Sequence, residues 1–426
     1  MDEITLKILG GIGVAAVLWA LYKILTTDPR KELPDHLSRE NLSPGLPEFD
    51  VALASNLNSP VVGGNHLELL TNGDEIFPPM LRAIDSAAES INLLTFIYWQ
   101  GEIARQFADA LSRAARRGVQ VRVLLDYIGS RPIRPEWVDQ MREAGCRVAW
   151  FHPVRWYALR RMNNRTHRKA LIVDGNVGFT GGVGIAEEWT GDAQDPDHWR
   201  DDHFAVRGPV VRQIQGSFTE NWRQATGEIL AGPEMFPEIA EVGSSSVVPL
   251  LGTPRGSISR ISFAYWIALN TAARRVTITT PYFVPNRSMK KALMAAARRG
   301  IEVILLIPGK HNDRKVVRWA AKSFYPQLLK AGIRIFEYGP TMLHVKRITA
   351  DGAWALVGSV NYDNRSLNLN YEIALAVSDE EFCRHLDDSL ESDLERSREV
   401  TREDAENIST VAKLRDHLAL ALRKQL

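Results

Sequence analysis

The strongest constraint on the fold is an internal repeat. Residues 110–126, ALSRAARRGVQVRVLLD, align with residues 292–308, ALMAAARRGIEVILLIP. Each segment shows helical periodicity, then a glycine that ends the helix, and then an apolar run rich in β-branched residues. This order is typical of the helix–strand part of a βαβ unit. The sequence therefore predicts two α/β halves of similar topology.

The repeat extends on both sides of these segments. Ahead of them, INLLTFIYW at residues 91–99 matches VTITTPYFV at residues 276–284. After them, AGCRVAWFHP at residues 144–153 matches AGIRIFEYGP at residues 331–340. Because the three blocks occur in the same order in both places, they indicate a duplicated α/β domain and not a chance similarity.

A charged motif follows the three aligned blocks in each half. HRKALIVD at residues 167–174 and HVKRITAD at residues 344–351 both read His-x-Lys-x4-Asp. One such match is weak evidence for a site, but two matches in register with a duplication indicate a shared site built by both halves. Residues two apart on a strand face the same way, so each histidine is predicted to point with its lysine. The motif residues are His167, Lys169 and Asp174 in the first half and His344, Lys346 and Asp351 in the second.

The agreement continues downstream of both motifs. Gly182 and Ser359 each lie fifteen residues after the motif histidine of their half. Acidic residues then follow on predicted strands, Asp201 in WRDDHFAV and Glu372 in NYEIALAV, and the shared Ala-Val endings align them. The candidate site therefore includes two carboxylates in addition to the imidazoles and ammonium groups.

This set of side chains suits a phosphodiester. Two lysines provide fixed positive charge for the non-bridging oxygens during in-line displacement. One neutral imidazole can attack phosphorus, and one protonated imidazole can give a proton to the leaving alkoxide. Asp201 and Glu372 are predicted to orient the imidazoles, as a carboxylate does in acyl-transfer triads. The Ser359 hydroxyl and the Asn361 amide are further hydrogen-bond donors, and the chemistry needs no metal ion.

Two other patterns are interpreted as structural. DPDHWRDDH at residues 195–203 has irregular ligand spacing, and the repeat already accounts for Asp201, so we predict no metal site there. Trp189, Trp199 and Trp222 are interpreted as core or rim packing and not as a cofactor box. No cofactor is expected.

The paired motifs, with GG or GS-x-N downstream, resemble the phospholipase D superfamily, and the resemblance covers nearly everything from Gly63 to Val377. It implies an α/β class fold, a duplicated α/β/α/β/α arrangement with two halves around one shared active site, and a phosphohistidine intermediate. Within that superfamily, TPYFVPN at residues 280–286 and GNHLELLTNGDE at residues 64–75 are most similar to bacterial cardiolipin synthases. Those enzymes move a phosphatidyl group from one phospholipid onto the glycerol hydroxyl of phosphatidylglycerol.

The resemblance also implies a role for each motif residue. It makes His167 the nucleophile and His344 the general acid. Asp174 and Asp351 complete the catalytic motifs, and we interpret both as structural because each ends a strand several residues from its histidine. The phosphate ligands that the resemblance implies are Lys169, Lys346, Ser359, Asn361 and Gly182.

One position breaks the symmetry of the repeat. Seventeen residues after its histidine the second half has Asn361, whereas the first half has Gly184. The first half therefore lacks one amide donor. We predict that Gly184 leaves room for a bulkier donor or acceptor lipid, and the alternative is that this glycine serves the backbone alone.

The first residues differ in character from the rest. ILGGIGVAAVLWALY is uncharged and lies between Lys7 and Lys23, and residues 4–25 reach the length of about 20 residues that a bilayer requires. We predict an uncleaved transmembrane anchor, since a signal peptide would need a small-residue cleavage site. More basic residues follow the segment than precede it, which favours a single-pass inner-membrane protein with a cytoplasmic body.

We predict the following boundaries: an anchor at 4–25, a first half at 60–236, a linker at 237–257, a second half at 258–395 and a charged helical tail at 396–426. The linker is inferred from its content of Ser, Gly and Pro. The tail is expected either to pack on the second half or to lie on the membrane.

The predicted function is a membrane-anchored phosphatidyltransferase of the cardiolipin synthase type, with phospholipid substrates, among them phosphatidylglycerol. A net charge of +1 argues against a uniformly basic surface for nucleic acid, so attraction to anions must be local, and no nucleic-acid partner is favoured. A phosphodiesterase or nuclease with the same fold is the alternative, and an inactive lipid-binding scaffold is a third possibility. An arginine-rich stretch with aromatic residues at 154–169 suits anionic lipid head groups, a single nucleic-acid strand or a solvated loop.

Overall fold

A computed structural model describes residues 42–154, 163–254, 259–407 and 409–420, together with Trp19 and Leu33. Within these ranges, no helix combines the length and the apolar character that crossing a bilayer requires. Apart from Trp19, the predicted anchor at residues 4–25 lies outside the described residues, as does the part of the arginine-rich stretch at residues 155–162.

The first half is a mixed sheet with helices packed on it. Its strands β2 and β3 are buried along nearly their whole length, which agrees with their continuous apolar sequences. A 3₁₀ turn at Glu187–Trp189 precedes the last strand of this half. The elements are α1 (Pro47–Leu57), β1 (Val62–Thr71), α2 (Asn72–Ser86), β2 (Ser90–Thr95), α3 (Glu102–Arg116), β3 (Gln120–Asp126), α4 (Pro135–Glu143), β4 (Arg147–Phe151), β5 (Ala170–Val173), β6 (Val177–Gly181), β7 (Asp202–Arg207) and α5 (Val211–Thr226).

The second half repeats this pattern and adds further elements at its end. They are β8 (Ser245–Gly252), α6 (Arg260–Thr271), β9 (Arg275–Thr279), β10 (Phe283–Val284), α7 (Arg287–Arg298), β11 (Glu302–Pro308), α8 (Lys315–Lys322), α9 (Tyr325–Lys330), β12 (Arg334–Tyr338), β13 (Arg347–Ala350), β14 (Trp354–Gly358), β15 (Tyr362–Asp363), α10 (Asn364–Asn368), β16 (Glu372–Ser378), α11 (Glu380–Glu395), β17 (Ser397–Glu399), α12 (Arg402–Glu406) and α13 (Thr410–Leu420).

Strand order confirms the duplication. In the first half the strands lie in the order β1-β7-β6-β5-β2-β3-β4, and in the second half the equivalent order is β8-β16-β14-β13-β9-β11-β12, with β17 added at the edge. The parallel strands β2, β3 and β4 correspond to β9, β11 and β12. A short, irregular antiparallel pairing between β1 and β8 joins the two half-sheets.

The apolar residues form layers between sheets and helices. One cluster lies between the first half-sheet and helices α2, α3 and α4, and a second lies between the other half-sheet and helices α1, α6, α7, α8 and α9. A third cluster joins apolar residues of both half-sheets with the inner faces of α5 and α11. The chain therefore has the predicted mixed α/β architecture, with α5 and α11 as the inner helices.

The predicted linker at residues 237–257 is wrong. Residues Ser245–Gly252 form β8, which pairs with the whole of β16 and buries Val248 and Leu250. The serines and glycines that suggested a linker lie mainly at the ends of this strand, whereas the apolar run VVPLL forms its centre. Composition over a wide window hid a short buried strand.

The second half also includes residues from both ends of the described chain. Helix α1 precedes the first half in sequence, yet Phe49 packs on Trp354 with 5.5 Å between ring centroids. In the predicted tail, β17 pairs antiparallel with β12, and Arg415 of α13 lies 4.8 Å from the ring centroid of Trp319. The described part of the tail thus packs on the second half.

Candidate active site

The two motif histidines lie at equivalent places, immediately before β5 and β13. The backbone amide of His167 donates to the carbonyl of Tyr371 at 2.8 Å, and that of His344 donates to the carbonyl of Arg200 at 2.7 Å. Tyr371 and Arg200 directly precede the two carboxylate residues. Each histidine is therefore fixed by the backbone of the opposite half, next to the carboxylate of that half.

The imidazole–carboxylate pairs cross between the halves. His167 Nδ1 lies 3.0 Å from both carboxylate oxygens of Glu372, and His344 Nδ1 lies 2.6 Å from Asp201 Oδ2. Both carboxylates are fully buried. Because an ionised carboxylate accepts hydrogen bonds, Nδ1 carries the hydrogen in each ring, and Nε2 is left to act on a substrate.

The two motif lysines are buried beside their own histidines. Lys169 donates to the carbonyl oxygen of His167 at 3.0 Å and lies 5.6 Å from the ring centroid of Phe96. Lys346 donates to the carbonyl oxygen of His344, and its Nζ lies 2.8 and 3.2 Å from the two ring nitrogens. Burial, reinforced by the charge of the opposite lysine, lowers the pKa of Lys169 to about 7. Burial likewise lowers the pKa of Lys346 to about 8.

Both imidazoles are neutral at neutral pH in the free site. Burial lowers the pKa of His167 to about 4 and that of His344 to about 3, and the lysine charges act in the same direction. The sequence predicts one neutral and one protonated imidazole, so the free site differs from that prediction. A phosphodiester brings a negative charge next to both rings, which raises the pKa of each imidazole.

The carboxylates remain ionised although they are buried. Burial raises the pKa of Asp201, but Lys346 and His344 outweigh burial and lower it to about 2. For Glu372, burial is likewise outweighed, mainly by His167, and its pKa lies below the ordinary value. Ionised Asp201 and Glu372 can therefore stabilise a positive charge on either imidazole.

Gly182 and Ser359 lie against the carboxylates and not at an open phosphate site. The Gly182 amide donates to the Asp202 carbonyl at 3.0 Å as part of the strand pairing. The Ser359 hydroxyl donates to Glu372 Oε2. Because these donors are already engaged, Ser359 supports the Glu372 carboxylate and Gly182 belongs to the backbone pairing beside Asp201, which differs from the predicted phosphate-binding role.

The position that breaks the repeat is filled by packing. A Cβ atom on Gly184 would lie 2.8 Å from Ile97 Cβ and 3.1 Å from Trp189 Cζ3. The predicted space for a bulkier lipid is therefore occupied by the protein itself. At the equivalent position of the second half, Asn361 is buried, and its Oδ1 has no hydrogen-bond partner among the described residues.

The motif aspartates follow β5 and β13, at the strand ends opposite to the histidines, and each binds backbone amides of a neighbouring segment. Asp174 accepts hydrogen bonds at 2.8–2.9 Å from the amides of Ala88, Glu89 and Ser90. Asp351 accepts the equivalent bonds at 2.8–3.0 Å from the amides of Ala273, Arg274 and Arg275. These contacts join the end of each motif strand to the start of the antiparallel strand beside it, β2 in the first half and β9 in the second.

Sequence reasoning missed an aromatic enclosure around His344. The rings of Trp189 and Trp199 each have centroids 5.3 Å from the His344 imidazole, and Tyr282 lies at 6.3 Å. His167 is instead contacted by Phe96 at 5.1 Å. Trp189 and Trp199 lie in a segment that has no counterpart in the repeat alignment, so no sequence pattern distinguished them from core residues.

A third histidine near the site was also missed. His203 is two residues after Asp201 on β7 and is buried, and its Nδ1 has no hydrogen-bond partner among the described residues. Burial lowers the pKa of His203 to about 3. His198 lies in the segment at residues 195–203, for which we predict no metal site, and its Nδ1 lies 2.7 Å from Asp195 Oδ1. Within the described ranges, no cluster of His, Cys, Asp and Glu could hold a metal ion.

Comparison with known proteins identifies the family of this chain. A family model described as "Cardiolipin synthase, PLD-like domain" matches residues 80–222 and 265–394. The chain belongs to the phospholipase D superfamily. It is 38% identical over 317 residues to a cardiolipin synthase of Geobacillus kaustophilus, covering 74% of this chain and 63% of that protein. It is 34% identical over 358 residues to cardiolipin synthase A of Pseudomonas putida, covering 83% of this chain and 74% of the relative.

The chain thus spans less than two thirds of the length of the Geobacillus relative. Among solved structures, the fold of this chain is similar to that of phosphatidylserine synthase from Haemophilus influenzae, with a TM-score of 0.67 and 13% sequence identity. That match covers 89% of this chain and 100% of the other. At this identity, the likeness concerns the fold.

Proposed function

We propose that this protein is a phosphatidyltransferase of the cardiolipin synthase type, which moves a phosphatidyl group onto the glycerol hydroxyl of phosphatidylglycerol. The observation that carries the proposal is the crossed arrangement of two buried imidazole–carboxylate pairs with two buried lysines. Similarity to cardiolipin synthases over most of the chain supports the choice of a lipid substrate.

In the first step, Nε2 of His167 attacks the phosphorus of the donor lipid. An N–P bond forms, the P–O bond to the head-group alcohol breaks, and His344 gives its proton to the departing alkoxide. Lys169, Lys346 and the Asn361 amide hold the non-bridging oxygens. Proton uptake by His344 accompanies binding of the anionic substrate, because that charge raises the pKa of a ring that is neutral in the free site.

In the second step, a glycerol hydroxyl of phosphatidylglycerol attacks the phosphohistidine. Neutral His344 accepts the hydroxyl proton, the new P–O bond forms, and the N–P bond to His167 breaks. When phosphatidylglycerol is also the donor, two molecules of it give one cardiolipin and one free glycerol. The aromatic residues around His344 restrict water on the acceptor side and so favour an alcohol over hydrolysis.

We assign this reaction to a membrane surface. The apolar segment at residues 4–25 serves as a single-pass anchor in the inner membrane, and the basic residues that follow it favour a cytoplasmic catalytic body. This placement brings the site to the phospholipids that it would use.

The direct test is thin-layer analysis of lipids after incubation of the full-length, detergent-solubilised protein with phosphatidylglycerol. We expect cardiolipin and glycerol, and we expect His167→Ala to form neither. Phosphatidic acid as the sole new lipid would identify a hydrolase. Plasmid nicking without any lipid product, assayed in parallel, would identify a nuclease.

A further inference from the structure

The two halves support their carboxylates by different side chains. In the second half, the Ser359 hydroxyl donates to Glu372 Oε2. The equivalent residue of the first half is Gly182, which has no side chain to donate to Asp201. Asp201 therefore receives no hydrogen bond equivalent to the one that Ser359 gives to Glu372.

Residue 182 cannot be a serine in this structure. A Cβ atom on Gly182 would overlap the carboxylate of Asp201. The Asp201 side chain is one methylene shorter than that of Glu372, and its carboxylate fills the space that the side chain of residue 182 would need. The missing side chain at Gly182 therefore makes room for the Asp201 carboxylate, whereas the side chain of Ser359 donates to the Glu372 carboxylate.

Trp189 supplies a hydrogen bond to Asp201 from another direction. Its indole Nε1 donates to Asp201 Oδ2 at 2.8 Å, and the same oxygen lies 2.6 Å from His344 Nδ1. The Trp189 ring also meets the His344 imidazole edge to face, with 5.3 Å between centroids. One fully buried side chain thus contacts both members of the Asp201–His344 pair.

We propose that Trp189 is a positioning residue that holds Asp201 in the orientation required to bind His344, as Ser359 holds Glu372 for His167. Trp189 acts through the carboxylate. The inference deepens the proposed transfer function, and it rests on that function for the direction of the rate effect.

The hydrogen bond matters because Asp201 is inaccessible to water. A buried carboxylate that loses a donor does not regain one from solvent, so the loss is larger than at a surface. Burial raises the pKa of Asp201, and the bond from Trp189 is among the contacts that oppose burial. Without it, Asp201 stabilises the protonated form of His344 less well.

Trp189→Phe in the full-length protein tests the proposal, because phenylalanine keeps a ring beside His344 but has no N–H group. We expect kcat for phosphatidyl transfer to fall about tenfold to a hundredfold, the range for a hydrogen bond to a buried charge. KM should change little. The alkaline limb of the kcat–pH profile should move to lower pH, because His344 holds its proton less strongly.

Trp222→Phe is the matched control. The Trp222 indole is equally buried and also donates to a carboxylate, Glu228, at 2.8 Å. It lies on α5, away from the imidazoles. We expect both variants to lose thermal stability, and Trp222→Phe to keep kcat and its pH profile. Equal losses of kcat in the two variants would overturn the proposal.

A double-mutant cycle asks whether Trp189 acts through Asp201. In an Asp201→Asn background, Trp189→Phe should have little further effect on kcat, because the carboxylate that it positions is already absent. The same fold loss in both backgrounds would overturn the proposal.

A measurement on the resting protein separates this inference from the proposed reaction. The short hydrogen bond from His344 Nδ1 predicts a strongly deshielded proton in NMR spectra, which His344→Gln would remove. We expect the resonance to move upfield in Trp189→Phe but not in Trp222→Phe. An unchanged resonance would overturn the inference, whereas a shifted resonance in a protein without transfer activity would overturn the proposed function alone.

Discussion

Glu372 belongs to the second half of the chain, yet both of its carboxylate oxygens lie 3.0 Å from Nδ1 of His167 in the first half. Asp201 makes the reciprocal contact with His344. Each half thus provides the imidazole of one pair and the carboxylate of the other. Neither pair exists until the two halves have assembled.

Glu372→Gln should reduce kcat by at least about a hundredfold, because a neutral amide no longer fixes the tautomer of His167 or stabilises its positive charge. The measurement is the initial rate of cardiolipin formation. Glu228→Gln is the control, since Glu228 pairs with Arg147 at a partly exposed site away from the imidazoles. Full activity of Glu372→Gln would contradict the orienting role of this carboxylate.

A phosphatidyl adduct should form on His167. Labelled phosphatidylglycerol, rapid quenching and peptide mapping would locate the label, which should be absent from His167→Ala. In His344→Ala, the adduct should form slowly and also decay slowly, because the same imidazole gives and later accepts a proton. Label on His344 in the native protein would reverse the roles of the two histidines but leave the two-step chemistry intact.

Acid should destabilise the ligand-free protein through its buried histidines. The pKa of His167 falls from an ordinary 6.5 to about 4, and that of His344 falls to about 3. Between pH 6.5 and these values, the unfolded chain binds protons that the folded chain does not, so stability is complete above 6.5 and declines as pH falls. His344→Gln should make the decline in Tm shallower, whereas His66→Gln, at an exposed position, should not. Parallel Tm curves for all three proteins would contradict this account.

Gly184→Ala should destabilise the protein by about 1–3 kcal/mol, because its methyl group would press on Ile97 and Trp189. Gly216→Ala is the opposite case, since Gly216 lies within α5 with open space around its Cβ position. That change should be neutral or stabilising by up to about 1 kcal/mol. Chemical denaturation measures both. Equal stabilities would mean that the site near Gly184 relaxes freely, and the hypothesis of space for a lipid would return.

The duplication and the mixed α/β class could be predicted from the sequence because they depend on periodicity and spacing, and the family could be predicted because the paired motifs resemble those of known members. The crossing of the pairs could not. The repeat equates His167 with His344 and Asp201 with Glu372, but an alignment of equivalent positions does not tell which carboxylate reaches which imidazole. That information lies in how the two half-sheets are joined through β1 and β8, and β8 was itself hidden in a serine-rich segment.

The support of Asp201 was unpredictable for a different reason. In the second half, the supporting donor Ser359 occupies a position of the repeat. In the first half, the donor is Trp189, from a short 3₁₀ turn that the repeat does not contain. From the sequence alone, a tryptophan outside the repeat cannot be told from an ordinary core residue. Only the hydrogen bond from its indole to Asp201 shows its different role.

The contact of Phe49 with Trp354 has a consequence for synthesis. Helix α1 leaves the ribosome before any of the first half, but the residues that cover it lie in β8, in α6 and at Trp354, and are made about two hundred to three hundred positions later. Its apolar face must therefore stay uncovered while the whole first half is translated, a period in which such a surface invites wrong partners. We expect the nascent chain to depend on a chaperone during that interval, and to bury α1 as one of its last folding events.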